Sequence, residues 1–320
     1  MGYRQINSFY TQIKHMQKVP IVFCFDNNLV RPACVALSSL MMNAKEDTFY
    51  DIFILHSWKQ PLNHEDIDRL PLYYKNSCIQ YRTVDSTFDE AFEIRGITTA
   101  AYYRLLIPEL IPEYDKVLYS DVDVIFRSDL SEFYSTDMTG YYVAGVDSLA
   151  NFQPELVKYY NDIVHINPEG IIFSGNLVIN SKEILKDNLI PRFKELAKNR
   201  YTFQDMDVLN IACRGKIKYL SPAFCLTTYI SEYSVYRKEV LLKVWSGEKL
   251  SDALSHGIVH YNGKKPWNDV CINFDIWWEY YRKCPYYDEK RYFDFFNYKL
   301  NELDRLSLMK RIKVLLRYFL

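Results

Sequence analysis

The length, composition and charge of the chain indicate a folded globular protein and argue against several functional classes. Its 320 residues suffice for one large domain with a sizeable core, and 49% hydrophobic with 25% charged residues is the balance of an ordinary soluble protein. A formal net charge of −1 argues against broad electrostatic binding to nucleic acid. The seven cysteines are odd in number and have no C-x-x-C spacing, so neither a zinc site nor a disulfide framework is predicted.

The N-terminus and the distribution of apolar residues predict a protein on the cytosolic side of the membrane. Residues 1–15 contain no apolar stretch of the kind that signal peptides carry. No run approaches the roughly 18 apolar residues that a spanning helix needs. Asn7 stands where an N-myristoylation motif requires Ser or Thr. We therefore expect a protein that is cytoplasmic or peripheral on the inner face of the plasma membrane.

Strand and helix patterns alternate through the first half of the chain. Val19–Phe25 is a continuous apolar run that stops at Asp26-Asn27-Asn28, which predicts a buried strand followed by a polar turn. Further strands are predicted at Phe49–His56, Ile79–Val84 and Lys116–Ile125. Helices are predicted from near Pro32, over Asn63–Tyr74 with an Asn cap, and over Thr98–Leu110. This order predicts an α/β fold with a Rossmann-like, mostly parallel sheet flanked by helices, and ligands beyond the carboxyl ends of its strands.

The second half of the chain has a mixed pattern. Strands are predicted at Tyr141–Val146, Ile171–Asn180 and Ile258–Tyr261, and helices at Ser181–Arg200 and Gln204–Arg214. No Gly/Ser linker, repeat or low-complexity block interrupts residues 19–270. We therefore predict one domain over residues 1–274, followed by an aromatic and basic extension over residues 275–320.

Two carboxylates within an apolar strand are the strongest local signal. Asp121 and Asp123 lie in the segment Lys116–Ile125, and burying unpaired charge is costly. Alternate residues of a strand point the same way, so the two side chains can hold one cation. Oxygen ligands suit hard ions such as Mg²⁺ or Mn²⁺. The alternative is a pair of solvated acids at the end of a strand.

Three further positions have both a chemical and an ordinary interpretation. His260 ends an apolar strand before Lys264 and Lys265, which is coherent with a third metal ligand and cations for a diphosphate, or with a surface turn. Asp205 opens a helix, where it either faces a sugar or only complements the helix dipole. Arg104 lies on an otherwise apolar helix, as a partner for a phosphate or an acid, or as an extended surface arginine.

Five ordered segments carry a resemblance to a known family. They are the apolar strand running into Asp26-Asn27-Asn28, Tyr-Arg-Leu at 103–105, Leu-Tyr-Ser-Asp-Val-Asp-Val at 118–124, Gln-Asp-Met-Asp-Val-Leu-Asn at 204–210, and His-Tyr-Asn-Gly-Lys-Lys-Pro-Trp at 260–267. Together they resemble glycosyltransferase family 8, the bacterial lipooligosaccharide galactosyltransferases and glucosyltransferases related to glycogenin. The resemblance covers roughly residues 19–270.

The resemblance implies a GT-A fold, a UDP-sugar donor bound with Mn²⁺ or Mg²⁺, and retention of the anomeric configuration. It implies a galactosyl- or glucosyltransferase that extends a lipopolysaccharide, capsule or glycoprotein glycan. The resemblance also implies site residues. Asp26 and Asn28 would lie at the nucleoside, and Asp121, Asp123 and His260 at the metal, with Asp121 also near the ribose. Gly175, Gly263 and Lys265 would lie in the donor site, with Gly263 and Lys265 at the diphosphate, and Arg104, Asp147 and Asp205 would lie at the reacting sugar.

Two positions depart from the pattern of the family. Phe173 stands before Ser174-Gly175, where the family usually has Asn, and Met206 stands where the galactosyltransferases have Gln. A thioether has no amide oxygen, so no covalent step can pass through Met206. Front-face attack, in which the departing phosphate accepts the proton of the acceptor hydroxyl, is the mechanism that we expect.

Two other functions remain open on the sequence alone. A degenerate relative that binds a nucleotide-sugar without transferring it is compatible with Phe173 and Met206. A Mg²⁺-dependent nucleotidyltransferase is disfavoured, because such enzymes usually need a glycine-rich phosphate loop and the turn at 26–32 has no glycine.

The end of the chain combines basic and apolar residues. After Asp304 there is no acid, and Lys310, Arg311, Lys313 and Arg317 alternate with a face formed by Ile312, Leu315, Leu316 and Phe319. This pattern predicts a helix that lies on the inner membrane surface, near a lipid-linked acceptor, or a final helix that packs on the protein itself.

Overall fold

A seven-stranded sheet forms the centre of the computed structural model, which describes residues 16–94, 96 and 98–319. In chain order the strands are β1 Gln17–Cys24, β2 Thr48–Ser57, β3 Ser77–Val84, β4 Val117–Ser120, β5 Val124–Ile125, β6 Val143–Gly145, β7 Asn176–Ile179, β8 Ile217–Tyr219, β9 Leu226–Thr227 and β10 Val259–His260. The large sheet has the order β3-β2-β1-β4-β7-β6-β8, and a small sheet has the order β5-β10-β9.

The helices surround these two sheets. In chain order they are α1 Val30–Met42, α2 Glu65–Tyr73, α3 Ile107–Leu110, α4 Ser131–Tyr134, α5 Pro154–Tyr159, α6 Ser181–Lys186, α7 Ile190–Leu196, α8 Asp205–Ala212, α9 Thr228–Tyr236, α10 Lys238–Leu241, α11 Gly247–His256, α12 Phe274–Lys283, α13 Glu289–Asp304 and α14 Leu308–Phe319. A longer 3₁₀ segment covers Thr99–Leu106.

The sheet is mostly parallel, as the alternation of strands and helices predicted. β1 pairs in parallel with β2 and β4, β2 with β3, and β6 with β8, whereas β7 runs antiparallel to β4 and β6. Val19, Ile21 and Phe23 of β1 belong to one hydrophobic cluster, while Val22 and Cys24 belong to another. Successive residues of a strand point to opposite faces, so both faces of the sheet are covered. This explains why the first strand is apolar without interruption.

The predicted strand at 116–125 and the predicted helix at 181–200 are wrong as single elements. The chain leaves the large sheet after Ser120 and enters the small sheet at Val124, so Asp121 and Asp123 lie at a bend between two strands. Residues 181–200 form two helices, and Pro191 lies in the first turn of the second, where its missing N–H costs nothing. The helix predicted from Asn63 begins at Glu65, whose N–H donates to the side-chain oxygen of Asn63 at 3.4 Å.

The C-terminal extension packs on the core through its first helix. Trp277, Trp278 and Tyr281 of α12 are buried in the cluster that contains β1, and the indole N–H of Trp278 donates to the Pro266 carbonyl. The boundary at residue 274 stays a prediction. Among the described residues no helix is long and apolar enough to cross a membrane. The prediction made for residues 1–15 lies outside the described part of the chain.

Candidate active site

The site lies where β1 and β4 of the large sheet end and the small sheet begins. The loop after β1 is closed by Asp26, whose carboxylate accepts the N–H of Asn28 at 2.9 Å. The other oxygen of Asp26 lies 3.4 Å from the hydroxyl of Thr98, next to the segment that carries Arg104. The polar turn predicted from the sequence therefore lies at the carboxyl edge of the sheet, where ligands bind in such folds.

Asp121, Asp123 and His260 form one group at this edge. The Nε2 atom of His260 lies 3.2 Å from Oδ1 of Asp123 and 3.6 Å from Oδ2 of Asp121. Strand pairing brings them together, because β10 runs antiparallel to β5 and places His260 opposite Val124. The backbone N–H of Asp121 donates to the Gly175 carbonyl at 2.8 Å, which attaches the bend to the chain that leads into β7. The three residues chosen from the sequence as metal ligands are therefore in contact range.

Opposite charges keep Asp123 and His260 ionised despite their burial. Burial opposes the charge on Asp123, yet the charges of Lys265 and His260 hold the pKa of its carboxyl well below the usual value. Burial likewise opposes the charge on His260, and the Asp123 carboxylate raises the pKa of the imidazole above its ordinary value. The Lys265 ammonium lies 2.5 Å from Oδ2 of Asp123 and also donates to the Tyr261 carbonyl. A cation is thus already attracted to this carboxylate.

Gly175 leaves no room for a side chain beside this group. A Cβ atom added at Gly175 would lie 2.2 Å from Cε1 of His260 and 2.8 Å from Oδ2 of Asp121. Atoms that are not bonded to each other do not approach so closely. The backbone at Gly175 therefore forms the wall against which the imidazole and the first carboxylate pack.

Arg104 connects the acids of the bend to the acid at the start of α8. Its guanidinium lies 2.9 Å from Asp121 and 3.2 Å from Asp205, donates to the Ser174 carbonyl, and stacks on the Tyr119 ring. Only 6% of its surface is exposed, so it is not an extended surface arginine. A buried guanidinium needs such partners, and its planar fork fixes the relative positions of the two carboxylates.

Asp205 is aimed into the site by a turn with an unusual backbone conformation. Gln204, which precedes it, has φ +48° and ψ −118°, and its side-chain amide donates to the Phe92 carbonyl. Such values are rarely adopted by residues with side chains. Asp207 accepts the Tyr159 hydroxyl at 2.6 Å and the Phe203 N–H, which ties down the preceding loop. Burial raises the pKa of Asp205 to about 6, against the influence of Arg104.

The remaining predicted residues occupy the surroundings of this cluster. Asp147 pairs with Ile172 through an isolated bridge, accepts the Leu149 N–H at 2.7 Å, and has its pKa raised by burial. A Cβ atom added at Gly263 would lie 3.8 Å from the Thr228 side chain, which is an ordinary van der Waals contact. Lys264 pairs with Asp269 at 2.7 Å, so the two adjacent lysines have different partners.

Two contacts of the site were missed in the sequence. The Tyr119 hydroxyl donates to Asp121 at 2.6 Å, and the Cys225 sulfur lies 3.4 Å from Nδ1 of His260. Tyr119 lies inside the segment that drew attention to Asp121, so its position two residues earlier was an available signal. Cys225 has no such signal, because only the pairing of β9 with β10 brings it beside His260.

The two departures from the family pattern pack against apolar clusters. Phe173 belongs to the partly buried residues around the core that contains β1, and its N–H donates to the Val146 carbonyl. Met206 packs on a separate small cluster that contains Tyr160 and Ile171. Both side chains therefore contribute apolar contacts where the family pattern has amide groups.

The chain is similar to known proteins in both sequence and fold. The chain is 26% identical to General stress protein A of Bacillus subtilis over 288 residues. This match covers 87% of this chain and 93% of that protein. Its fold is similar to galactosyltransferase LgtC in complex with donor and acceptor sugar analogues, with a TM-score of 0.67, 23% identity, and coverage of 85% of this chain and 98% of that chain. It is also similar to the WbbM bifunctional glycosyltransferase, with a TM-score of 0.70, 21% identity and 86% coverage, although the match spans 51% of the WbbM chain.

These structural likenesses confirm the GT-A fold that the resemblance implied. Residues 20–271 match the family model described as Glycosyl transferase family 8, which is most of the chain. The protein therefore belongs to glycosyl transferase family 8 and is a glycosyltransferase.

Proposed function

We propose that this glycosyltransferase moves a galactose or glucose residue from a UDP-sugar to a cell-surface glycan acceptor in lipopolysaccharide, capsule or glycoprotein, with retention of the anomeric configuration and a divalent metal ion. The observation that carries the proposal is the cluster of Asp121, Asp123 and His260 beside the buried Arg104–Asp205 pair. The fold shared with LgtC, whose solved complex holds donor and acceptor sugar analogues, supports it.

The chemistry of the cluster fits a divalent cation. Asp121, Asp123 and His260 each offer one ligand atom, and these atoms lie within 4.8 Å of one another. Two carboxylates suit Mg²⁺ and Mn²⁺, and the imidazole favours Mn²⁺ of the two. Asp26 and Asn28 would then lie at the nucleoside end of the donor. When bound, the cation would stabilise negative charge on the diphosphate as a Lewis acid.

The protein's own residues supply the rest of the leaving-group chemistry. Lys265 lies on the Asp123 side of the cluster, where its ammonium can neutralise the charge that grows on the diphosphate as the sugar departs. Gly263 has no side chain, so its backbone can approach the same phosphates closely. Lys264 is engaged by Asp269, so we assign it no role in the reaction.

Arg104, Asp147 and Asp205 are proposed to act at the sugar itself. Asp205 is fixed by Arg104 on one side, which leaves it suited to accept hydrogen bonds from sugar hydroxyls. A nearby carboxylate also stabilises an oxocarbenium-like transition state. Met206 cannot provide an amide oxygen as a nucleophile. We therefore propose front-face attack, in which the departing phosphate accepts the proton of the acceptor hydroxyl.

One substitution separates the two mechanisms. Asp205→Asn keeps the shape of the side chain and removes the carboxylate that a double displacement would use. Front-face attack predicts retained turnover with a sharply raised KM for the donor, because a binding contact is weakened. A glycosyl adduct trapped on Asp205 and identified by mass spectrometry would contradict front-face attack.

Metal-dependent binding of UDP tests the proposed site. Isothermal titration of the protein with UDP should show tight binding in Mn²⁺ that is lost in Asp123→Asn. Asp252→Asn is the matched control, because it removes one carboxylate from an exposed position on α11. Equal binding by the wild type and Asp123→Asn would contradict the proposal. Tight binding to the wild type without turnover of any UDP-sugar would instead support the degenerate relative; family membership already disfavours a nucleotidyltransferase.

We also propose that α14 contacts the inner membrane surface. Apolar side chains of this helix are exposed: Leu308 is 72%, Met309 67%, Ile312 41% and Leu316 48% exposed. The side chains of Leu315, Arg317 and Phe319 lie outside the described ones. Exposed apolar residues mixed with lysine and arginine are typical of helices that bind anionic membranes. Truncation after Asp304 should abolish binding to vesicles with anionic lipid, and unchanged vesicle binding would contradict the idea.

A further inference from the structure

We propose that Cys225 is a positioning residue, whose thiol holds the His260 imidazole in the orientation that presents Nε2 to the cation. The inference rests on the proposed function, because it assumes that Asp121, Asp123 and His260 bind a divalent metal. Its basis is the distance of 3.4 Å between the Cys225 sulfur and Nδ1 of His260, with both side chains buried.

The two ring nitrogens of His260 face different neighbours. Nε2 faces Asp123 and Asp121, whereas Nδ1 faces Cys225. A nitrogen that binds a metal offers its lone pair, so the ring hydrogen then resides on the other nitrogen. Metal-binding histidines almost always donate that N–H to a nearby acceptor. In this chain the sulfur of Cys225 is in position to accept it.

Backbone pairing fixes the place of the thiol. β9 begins directly after Cys225 and pairs in parallel with β10, which sets Leu226 beside Val259. The Leu226 N–H donates to the Ile258 carbonyl at 2.8 Å. A Cβ added at Gly257 would lie 3.0 Å from the backbone of Ala223, so the two segments are in close backbone contact. The thiol therefore cannot move back from the imidazole without disturbing this pairing.

Gly175 is a second residue that lies against the ring. Its missing side chain lets Cε1 and Nδ1 of His260 lie where a Cβ atom would otherwise be. The imidazole therefore contacts the Cys225 thiol and lies close to the backbone at Gly175, while Nε2 faces the two carboxylates. The thiol supplies the polar contact of this arrangement, and Gly175 supplies the space.

The size of the expected effect follows from the weakness of sulfur as an acceptor. Loss of the partner of a metal-binding histidine typically costs 10–100-fold in metal affinity. A thiol is a weak hydrogen-bond group, so Cys225→Ala should weaken Mn²⁺ binding by about 10-fold, at the low end of that range. Cys225→Ser keeps a hydroxyl acceptor on a shorter bond and should lie between the wild type and Cys225→Ala.

Mn²⁺ binding to the full-length protein without donor gives a readout apart from activity. The free ion is followed by electron paramagnetic resonance during titration of the wild type, Cys225→Ala, Cys225→Ser, His260→Ala and the double variant Cys225→Ala/His260→Ala. If the thiol acts through the imidazole, Cys225→Ala weakens Mn²⁺ binding in the wild type and has no further effect once His260 is replaced. Mg²⁺ affinity should change less, because imidazole contributes less to Mg²⁺ binding.

A matched control separates positioning from loss of packing. Cys213 is also a fully buried free thiol, but it lies in the other core cluster. Cys213→Ala should lower thermal stability about as much as Cys225→Ala while leaving Mn²⁺ affinity unchanged. Undiminished Mn²⁺ affinity in Cys225→Ala would overturn the inference alone. Equal affinities in the wild type and Asp123→Asn would overturn both the inference and the proposed metal site.

Discussion

Replacement of Gly175 by alanine should remove the metal site while leaving the fold in place. The added Cβ would lie 2.2 Å from Cε1 of His260, and ordinary contacts begin at 3.4 Å, so the ring has to move by about 1.2 Å (3.4 − 2.2). His260 is 4% exposed and held by Asp123 and Cys225, so this movement breaks existing contacts. Metal–ligand distances tolerate shifts of only about 0.2 Å. One ligand is therefore lost.

The expected effects are an activity loss of about 100-fold and a moderate loss of stability. A misplacement of about 1 Å at a reacting centre commonly costs about 100-fold in rate. Overpacking a dense site costs about 1–3 kcal/mol in unfolding free energy, which a large domain tolerates. The assay compares Mn²⁺-dependent turnover of a UDP-hexose with urea unfolding of the same preparation.

Gly247→Ala is the matched control for this prediction. Gly247 begins α11, and the nearest atom to an added Cβ belongs to Leu242 at 3.9 Å. This variant should keep both activity and stability, because alanine fits a helix at least as well as glycine. Wild-type turnover and Mn²⁺ affinity in Gly175→Ala would refute the close packing of Gly175 against His260 and the role assigned to the imidazole.

Three further predictions concern the charged residues of the site. Arg104→Met should lower the unfolding free energy, measured in urea, by about 3 kcal/mol, because it leaves two carboxylates without their buried partner; unchanged stability would contradict the pairing. Asp205→Asn should be more stable than the wild type above pH 6 by about 3 kcal/mol. Between pH 3.8 and about 6 the folded protein holds the Asp205 proton more tightly than the unfolded chain, so ionisation of Asp205 lowers stability as the pH rises through that window. If the extra stability of Asp205→Asn did not shrink toward pH 3.8, the raised pKa of Asp205 would be contradicted. Lys265→Ala should weaken UDP binding, measured by titration calorimetry, at least 10-fold, since charge-assisted hydrogen bonds contribute about 1.5–3 kcal/mol. Lys264→Ala should have little effect, because its exposed ion pair with Asp269 contributes less than about 1 kcal/mol. Equal losses of UDP affinity in the two variants would refute the assignment of Lys265 to the diphosphate.

Much of the architecture follows from local patterns in the sequence. The uninterrupted apolar run of β1 predicts a strand covered on both faces, and the structure shows two clusters that divide its residues. The polar turn at Asp26 and the acids at 121 and 123 were expected at one edge of the sheet, and the structure places them there. These features depend on residues close in sequence, so pattern alone was sufficient.

The features that were mispredicted depend on distant parts of the chain. Val122 is buried and Val124 begins a strand, so residues 116–125 have the pattern of one continuous strand. The break occurs because Val124 pairs with His260, which lies far away in sequence. In the same way, the contact of Cys225 with His260 depends on the pairing of β9 with β10, which lie far apart in sequence.

The release of UDP from a panel of UDP-hexoses in Mn²⁺ tests the central claim most directly. Purified wild type and Asp123→Asn are incubated with each donor in the absence of acceptor, and free UDP is measured over time. The account predicts slow hydrolysis of one donor, galactose or glucose, that requires the metal and is lost in Asp123→Asn. The claim would be contradicted if the wild type released UDP from none of the UDP-hexoses and also bound none of them.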